Sequence, residues 1–226
     1  MPDGRASDPS RAVEDYLKAV HKLQQEAGGE AVSTTALAEE LDRSAASVTN
    51  MVKGLAAQEL LSHTPYHGVV LTAAGRAAAR RIIRRHRVIE LYLIERLGFS
   101  WEDVHAEAER LEHAASEALI DRMAQALGEP SIDPHGSPIP TRDGKLAATE
   151  WVPLAELEGG SRGVVREVSD QSPQTLRELA TLGLFPGTRI RCVGERDGGG
   201  ARLEIGDRSF EVAPGLASAV FVEREP

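Results

Sequence analysis

Apolar positions recur at helical spacing through the first half of the chain and at strand-like alternation through the last third. Val13, Tyr16, Leu17, Val20 and Leu23 keep the 3.6-residue period and predict an amphipathic first helix, entered at Asp8-Pro9-Ser10, where a capping residue and an early proline suit a helix start. Beyond the Gly28-Gly29 break, Ser33 caps a short predicted helix over 34–41 with Leu37, Ala38 and Leu41 inward. Asp42-Arg43 makes a tight turn, and Ser44 caps a third helix to about 59 whose buried stripe is Val48, Met51, Val52 and Leu55. Residues 60–71 alternate as a hairpin turning around 66–68. Helix, turn, helix and hairpin in that order make a winged helix-turn-helix.

Thr72 caps a long helix to about Leu97. Ser100-Trp101-Glu102-Asp103 reads as a capping box for the next helix, whose apolar stripe is Val104, Ala108, Leu111 and Ala115. A further helix over 116–127 stops at Gly128 and offers Ile120, Met123, Ala124 and Leu127 as an apolar face, more than one small domain need bury alone. Residues 129–160 lack periodicity and predict an extended tether. Strands are predicted over 162–168, 189–194, 201–206, 209–212 and 219–222, with a helix over 173–182 and tight turns at 197–200 and 206–207, the pattern of a small SH3-like barrel. The expected fold is therefore mainly α with small β. A DNA-binding winged helix occupies 1–75, a helical metal-binding and dimerisation domain 76–141, a linker 142–160 and an SH3-like β-barrel 161–226.

Composition narrows the function classes. A chain 41% hydrophobic and 27% charged is that of an ordinary globular protein, and no apolar run approaches a bilayer span. With no apolar signal core near Met1, the expected location is the cytoplasm. Cys192 is the single cysteine, which excludes an intrachain disulfide and a thiolate zinc cluster. The formal charge of -9 is spread so that no segment is net basic, with 6 basic and 10 acidic residues in 1–75. That disfavours a constitutive, non-specific nucleic-acid binder, which needs a surplus of Lys and Arg on one face. A binder that first requires divalent cations to cancel its carboxylates fits the charge.

Candidate chemistry concentrates on two neighbouring helices. His86 and Glu90 lie at i, i+4 on the long helix, while His105, Glu109, Glu112 and His113 share one stripe of the next. One such pair is usually a solvated salt bridge, but six imidazole and carboxylate groups near a core are costly unless a cation joins them. On the third helix Ser44, Ala46, Ser47, Thr49, Asn50 and Lys53 are the candidate DNA contacts, because small residues permit close approach to a major groove and Asn can pair with adenine. The arginines at 76, 80, 81, 84, 85 and 87 read mainly as a solvated basic face, some of them within reach of phosphates.

These motifs, together with Pro134-His135-Gly136-Ser137-Pro138-Ile139-Pro140 and Leu182-Gly183-Leu184-Phe185-Pro186-Gly187, resemble the diphtheria toxin repressor family of metal-dependent transcriptional regulators in its three-domain form, with an SH3-like module of the FeoA kind. The resemblance implies a homodimer on a double-stranded DNA operator. It implies a primary, activating site of Asp15, Glu109, Glu112 and His113, and an ancillary site of His86, Glu90 and His105 joined by Glu167 and Asp170. Iron-responsive members carry methionine and cysteine where this chain has Asp15 and Glu109, so the donor set here is all oxygen and imidazole and suits Mn(II). Lys18 stands where manganese-responsive members tend to have a second N-terminal carboxylate, which favours two separate sites over a two-manganese cluster.

The expectation is a Mn(II)-activated repressor of metal-homeostasis genes with two ions per subunit, with neither membrane nor small-molecule substrate. Fe(II) or Co(II) is the alternative ion, and an Fe(II)-dependent repressor the alternative function. A metal-dependent hydrolase is the reading from a different class. It is disfavoured because the helix-borne His-x-x-x-Glu pairs lack a matched general base and a winged helix would serve no purpose, so no catalytic residue is assigned.

Overall fold

The computed structural model describes residues 10–64, 67–169, 172–196 and 200–225, which fall into two compact units. The first comprises residues 1–84 together with 140–145, and the second comprises 85–139 and 146–226.

In the first unit α1 (Arg11–Glu26) begins after Ser10, which has extended backbone but makes no side-chain cap bond; the predicted Asp8-Pro9 entry lies outside the described residues. Helix α2 (Thr34–Glu40) is capped by Ser33 Oγ accepting from Ala36 N at 3.0 Å, and α3 (Ala45–Ala57) by Ser44 Oγ accepting from Ser47 N at 3.3 Å. Strands β1 (Leu61–Thr64) and β2 (Gly68–Leu71) pair antiparallel, and Val32 bridges Val69 to lengthen the hairpin's edge. Leu17, Val20, Leu37, Val48, Val52, Leu55 and Val69 are fully buried and hold the three helices on the hairpin. Gln24 Oε1 accepts from Leu71 N at 3.0 Å, tying α1 to β2 inside the core.

The long α4 (Ala73–Leu97) starts at Thr72, whose Oγ1 accepts from Gly75 N and donates to Glu59 O. Gly75 is required there, since a Cβ would sit 2.0 Å from Leu60 O. Arg76 and Arg81 are exposed as expected of the basic face of α4, but Arg80, Arg84 and Arg87 are not free on it. In the first unit Arg80 donates to Gly144 O and the buried Arg84 to Pro140 O, each at 3.0 Å; in the second, Arg87 donates to Pro138 O at 2.5 Å. Residues 138–144 are thus a strap bonded to the helix through main-chain carbonyls rather than a free tether.

The second unit continues with α5 (Val104–Leu111) and α6 (Glu117–Ala126), packed on α4 through Val88, Ile89, Val104, Ala108, Ile120 and Ala124. Two expectations fail here. Ser100 does not cap α5: its hydroxyl donates to Asp103 Oδ2 at 2.9 Å, and Asp103, in the cap position, makes no side-chain cap bond. Leu111 is 39% exposed whereas Glu112, which keeps helical backbone angles and donates its N–H to Ala108 O at 2.9 Å, is fully buried. Ile120 and Ala124 are likewise buried within the chain, and Leu97, Phe99, Leu111 and Leu119 are exposed large apolar residues of this region.

The remaining elements are β3 (Val152–Pro153), a 3-10 turn at Leu154–Glu156, β4 (Arg162–Val168), α7 (Pro173–Leu182), β5 (Arg189–Arg196), β6 (Gly200–Ile205), β7 (Arg208–Val212), α8 (Pro214–Ser218) and β8 (Val220–Arg224). They form an antiparallel six-stranded sheet in the order β3-β8-β4-β5-β6-β7 around a core of Leu154, Val165, Leu176, Leu179, Leu184, Cys192, Leu203 and Val220. Five strands fall where alternation predicts them. The two-residue β3 and the one-turn α8 are too short to leave a periodic signal.

Candidate functional site

Helices α4 and α5 bring six of the expected ligands of the second unit into one chain of contacts. Glu90 and Glu112 are both fully buried, which is expensive for carboxylates unless cationic or protonated neighbours face them. His86 supplies that neighbour to both: its Nδ1 lies 2.5 Å from Glu112 Oε2 and its Nε2 2.9 Å from Glu90 Oε1. Glu90 Oε1 also meets His105 Nδ1 at 3.1 Å, and His113 Nε2 lies 3.5 Å from Glu112 Oε1. Glu109 Oε1 stands 3.7 Å from both His86 Nδ1 and His105 Nε2, and one ligand atom of each of these three lies within 4.8 Å of the others. His86 therefore touches residues assigned to the primary set and residues assigned to the ancillary one.

Three expected ligands belong to other parts of the chain. Asp15 sits half-buried on α1 of the first unit. Glu167, on β4, accepts from Ser137 Oγ at 2.6 Å, and Asp170 lies outside the described residues.

One residue that the sequence singled out only as part of a motif belongs to this site. His135 is fully buried; its Nε2 lies 3.0 Å from Trp101 O, a carbonyl that can only accept, so Nε2 carries the proton. Its Nδ1 has no hydrogen-bond partner among the described residues and faces Glu90 Oε2 at 3.9 Å. An orphaned imidazole lone pair beside a buried carboxylate fits a cation, and the surrounding donors are oxygen and imidazole. Spacing could not reveal it, because His135 sits in a loop. That loop is built by Asp133, whose Oδ1 accepts from the backbone N of both His135 and Ser137 at 2.9 Å, with Arg87 Nε 3.3 Å from its Oδ2.

On α3 the burial of Val48, Val52 and Leu55 turns Ala46, Ser47, Asn50 and Lys53 outward. Ser44 is occupied as the helix cap, and the Thr49 hydroxyl donates to Ala45 O at 2.8 Å. The outward hydrogen-bonding set is accordingly Ser47, Asn50 and Lys53, flanked by the Ala46 methyl. No helix among the described residues is long and apolar enough to cross a membrane.

Known proteins match this arrangement along nearly its whole length. Residues 8–69 match the iron dependent repressor N-terminal DNA binding domain, 72–141 the iron dependent repressor metal binding and dimerisation domain, and 152–224 the FeoA domain. The iron-dependent repressor IdeR of Mycobacterium tuberculosis is 32% identical over 225 residues, covering 94% of this chain and 96% of that protein. The diphtheria toxin repressor of Corynebacterium jeikeium is 33% identical over 237 residues, with the same shares covered. Among solved structures, a manganese-dependent transcriptional repressor in complex with manganese is 34% identical with a TM-score of 0.86, over 94% of this chain and all of that one. Sequence, domain order and fold agree: the chain belongs to the diphtheria toxin repressor family of metal-dependent transcriptional repressors.

Proposed function

We propose that this chain is a Mn(II)-activated homodimeric repressor of metal-homeostasis genes, holding two ions per subunit. The observation that carries the reading is the buried set of hard donors around Glu90 and Glu112, with the unpartnered His135 Nδ1 at its edge. The single thiol, Cys192, lies buried in the C-terminal core. Oxygen and imidazole suit Mn(II), and the manganese complex among the similar structures supports the same ion. Asp15 with Glu109, Glu112 and His113 would hold the activating ion. His86, Glu90 and His105 would hold the ancillary one together with His135, Glu167 and Asp170. When bound, the cation supplies the positive charge that lets these carboxylates share one place.

Because Asp15 belongs to the DNA-binding unit and the other activating ligands to the next, occupancy favours one posture of the recognition helix, with a coupling of about 1–3 kcal/mol. The exposed Leu97, Leu111 and Leu119 support pairing of two copies, which places two recognition helices on a pseudo-palindrome. The chain would then divide as a winged helix over 1–75, a metal and dimerisation domain over 76–141, a linker over 142–160 and the FeoA-like module over 161–226. The matched families described as iron dependent support Fe(II) as the second reading.

The test is retention of a duplex, selected from a randomised library on the Mn(II)-loaded protein, against Mn(II), Fe(II), Co(II) and Zn(II) at fixed salt. Retention is expected only with metal, with Mn(II) effective; equal retention in chelator defeats the reading, and a response to Fe(II) alone transfers it to iron. In the same assay Asn50→Ala is expected to cost about 1–3 kcal/mol on the selected site and to relax preference at one base pair. Lys53→Ala should weaken all duplexes alike and flatten the salt dependence.

A further inference from the structure

The loop carrying His135 is gripped from two sides by groups that cannot themselves bind a metal through a free side-chain ligand. On one side stands Trp101: its indole Nε1 donates to Pro134 O at 3.0 Å, its own carbonyl accepts from His135 Nε2–H at 3.0 Å, and its ring lies 5.2 Å from the imidazole. Behind Trp101 stands Phe185 of the C-terminal module, with ring centroids 5.1 Å apart. On the other side is the backbone of β4. Val168 N donates to His135 O at 2.9 Å, and Gly136 approaches so closely that a Cβ would fall 1.8 Å from Arg166 O. Gly136 also has φ +93°, a conformation that side chains rarely adopt.

We propose that the C-terminal module sets the affinity of the ancillary site by clamping His135, with Phe185, Trp101 and Gly136 as positioning residues. The inference rests on the reading of Glu90 and its neighbours as an ion site. Its physical basis is tautomer and aim. With Nε2–H bound to the Trp101 carbonyl, the lone pair is confined to Nδ1, and the β4 contact fixes where that lone pair points. Outer groups that orient a ligating imidazole typically govern 10–100-fold in metal affinity. Removing the clamp leaves every ligand in the chain but frees His135 to rotate away from Glu90, which lies 3.9 Å from it. By reciprocity, filling the ancillary site tightens the hold of the C-terminal module on Trp101.

Equilibrium dialysis of the full-length protein against Mn(II), with bound metal counted per chain, tests this. Wild type is expected to take two ions. Phe185→Ala removes a ring that is 40% exposed, so its fold should survive, as a thermal melt would verify. It should weaken the second ion about tenfold or more while leaving the first, and Phe185→Tyr should restore it. Gly136→Ala should have the larger effect. Arg177→Ala serves as the control: it breaks the exposed ion pair with Asp103, another contact between the same module and the entry to α5, without touching the His135 loop, and should change neither ion. A second readout is the fluorescence of Trp101 in a Trp151→Phe background, which should respond to the second ion and lose that response in Phe185→Ala. Two ions bound at wild-type affinity by Phe185→Ala and Gly136→Ala overturn the clamp. A wild-type chain that takes only one ion overturns instead the two-ion reading on which it rests.

Discussion

Replacing Glu112 with alanine is expected to abolish metal-dependent operator retention at Mn(II) concentrations that saturate the wild type. Glu112 is fully buried, lies 2.5 Å from His86 Nδ1 and 3.5 Å from His113 Nε2, and so joins two imidazoles that no other carboxylate bridges in this way among the described contacts. Losing it removes a charged donor and leaves a void where two rings met. The Mn(II) midpoint should rise by on the order of 100-fold, at or beyond the upper end of what indirect changes around a metal produce. Glu112→Gln separates the two effects, because it keeps shape and hydrogen-bonding capacity while deleting the charge. Stability should fall by about 1–3 kcal/mol in the alanine variant, from the unmet partner groups, and by less in the glutamine one. If Glu112→Gln bound operator with an unaltered Mn(II) midpoint, the carboxylate would have no part in activation.

Leu55→Ala should act by an independent route, destabilising the first unit by about 2–5 kcal/mol. Leu55 is fully buried on α3 in the same core as Leu17, Val20, Leu37 and Val52, and its removal leaves a cavity beneath the helix that packs on α2 and β1. For a unit of this size the midpoint of thermal unfolding followed by circular dichroism should drop by about 10 °C or more. Operator binding would then fail at temperatures where the ion content is still full, whereas in Glu112→Ala the ion content fails first. A loss below about 1 kcal/mol would mean that the core around α3 closes over the gap.

Much of this architecture is readable without coordinates because the elements that carry it are periodic. Val48, Val52 and Leu55 mark the inward side of α3 and so, by exclusion, the outward side that we propose for DNA contact. His86 and Glu90 announce themselves at i, i+4, and their convergence with His105, Glu109 and Glu112 needs only that two helices pack. What spacing misses are contacts made by irregular backbone. His135 enters the site from a loop, and the tie between Ser137 and Glu167 joins residues 30 positions apart. Leu111 and Glu112 also depart from the apolar pattern: the stripe through Val104 and Ala108 predicts Leu111 inward, whereas Leu111 is 39% exposed and the carboxylate of Glu112 is buried beside His86. Arg80, Arg84 and Arg87 escape a sequence reading for a related reason, since their acceptors are main-chain carbonyls on which the side-chain sequence is silent.

That last feature has an evolutionary corollary. Guanidinium groups at 80, 84 and 87 recognise Gly144, Pro140 and Pro138 only through oxygen atoms that every residue type possesses, so these bonds place no demand on side-chain identity. They do place one on length: a single inserted or deleted residue would throw the acceptors out of phase with donors fixed by the pitch of a helix. Related chains should accordingly conserve the count between residues 138 and 144, with identity held chiefly at the buried Ile139 and at Gly144, whose φ is +77°.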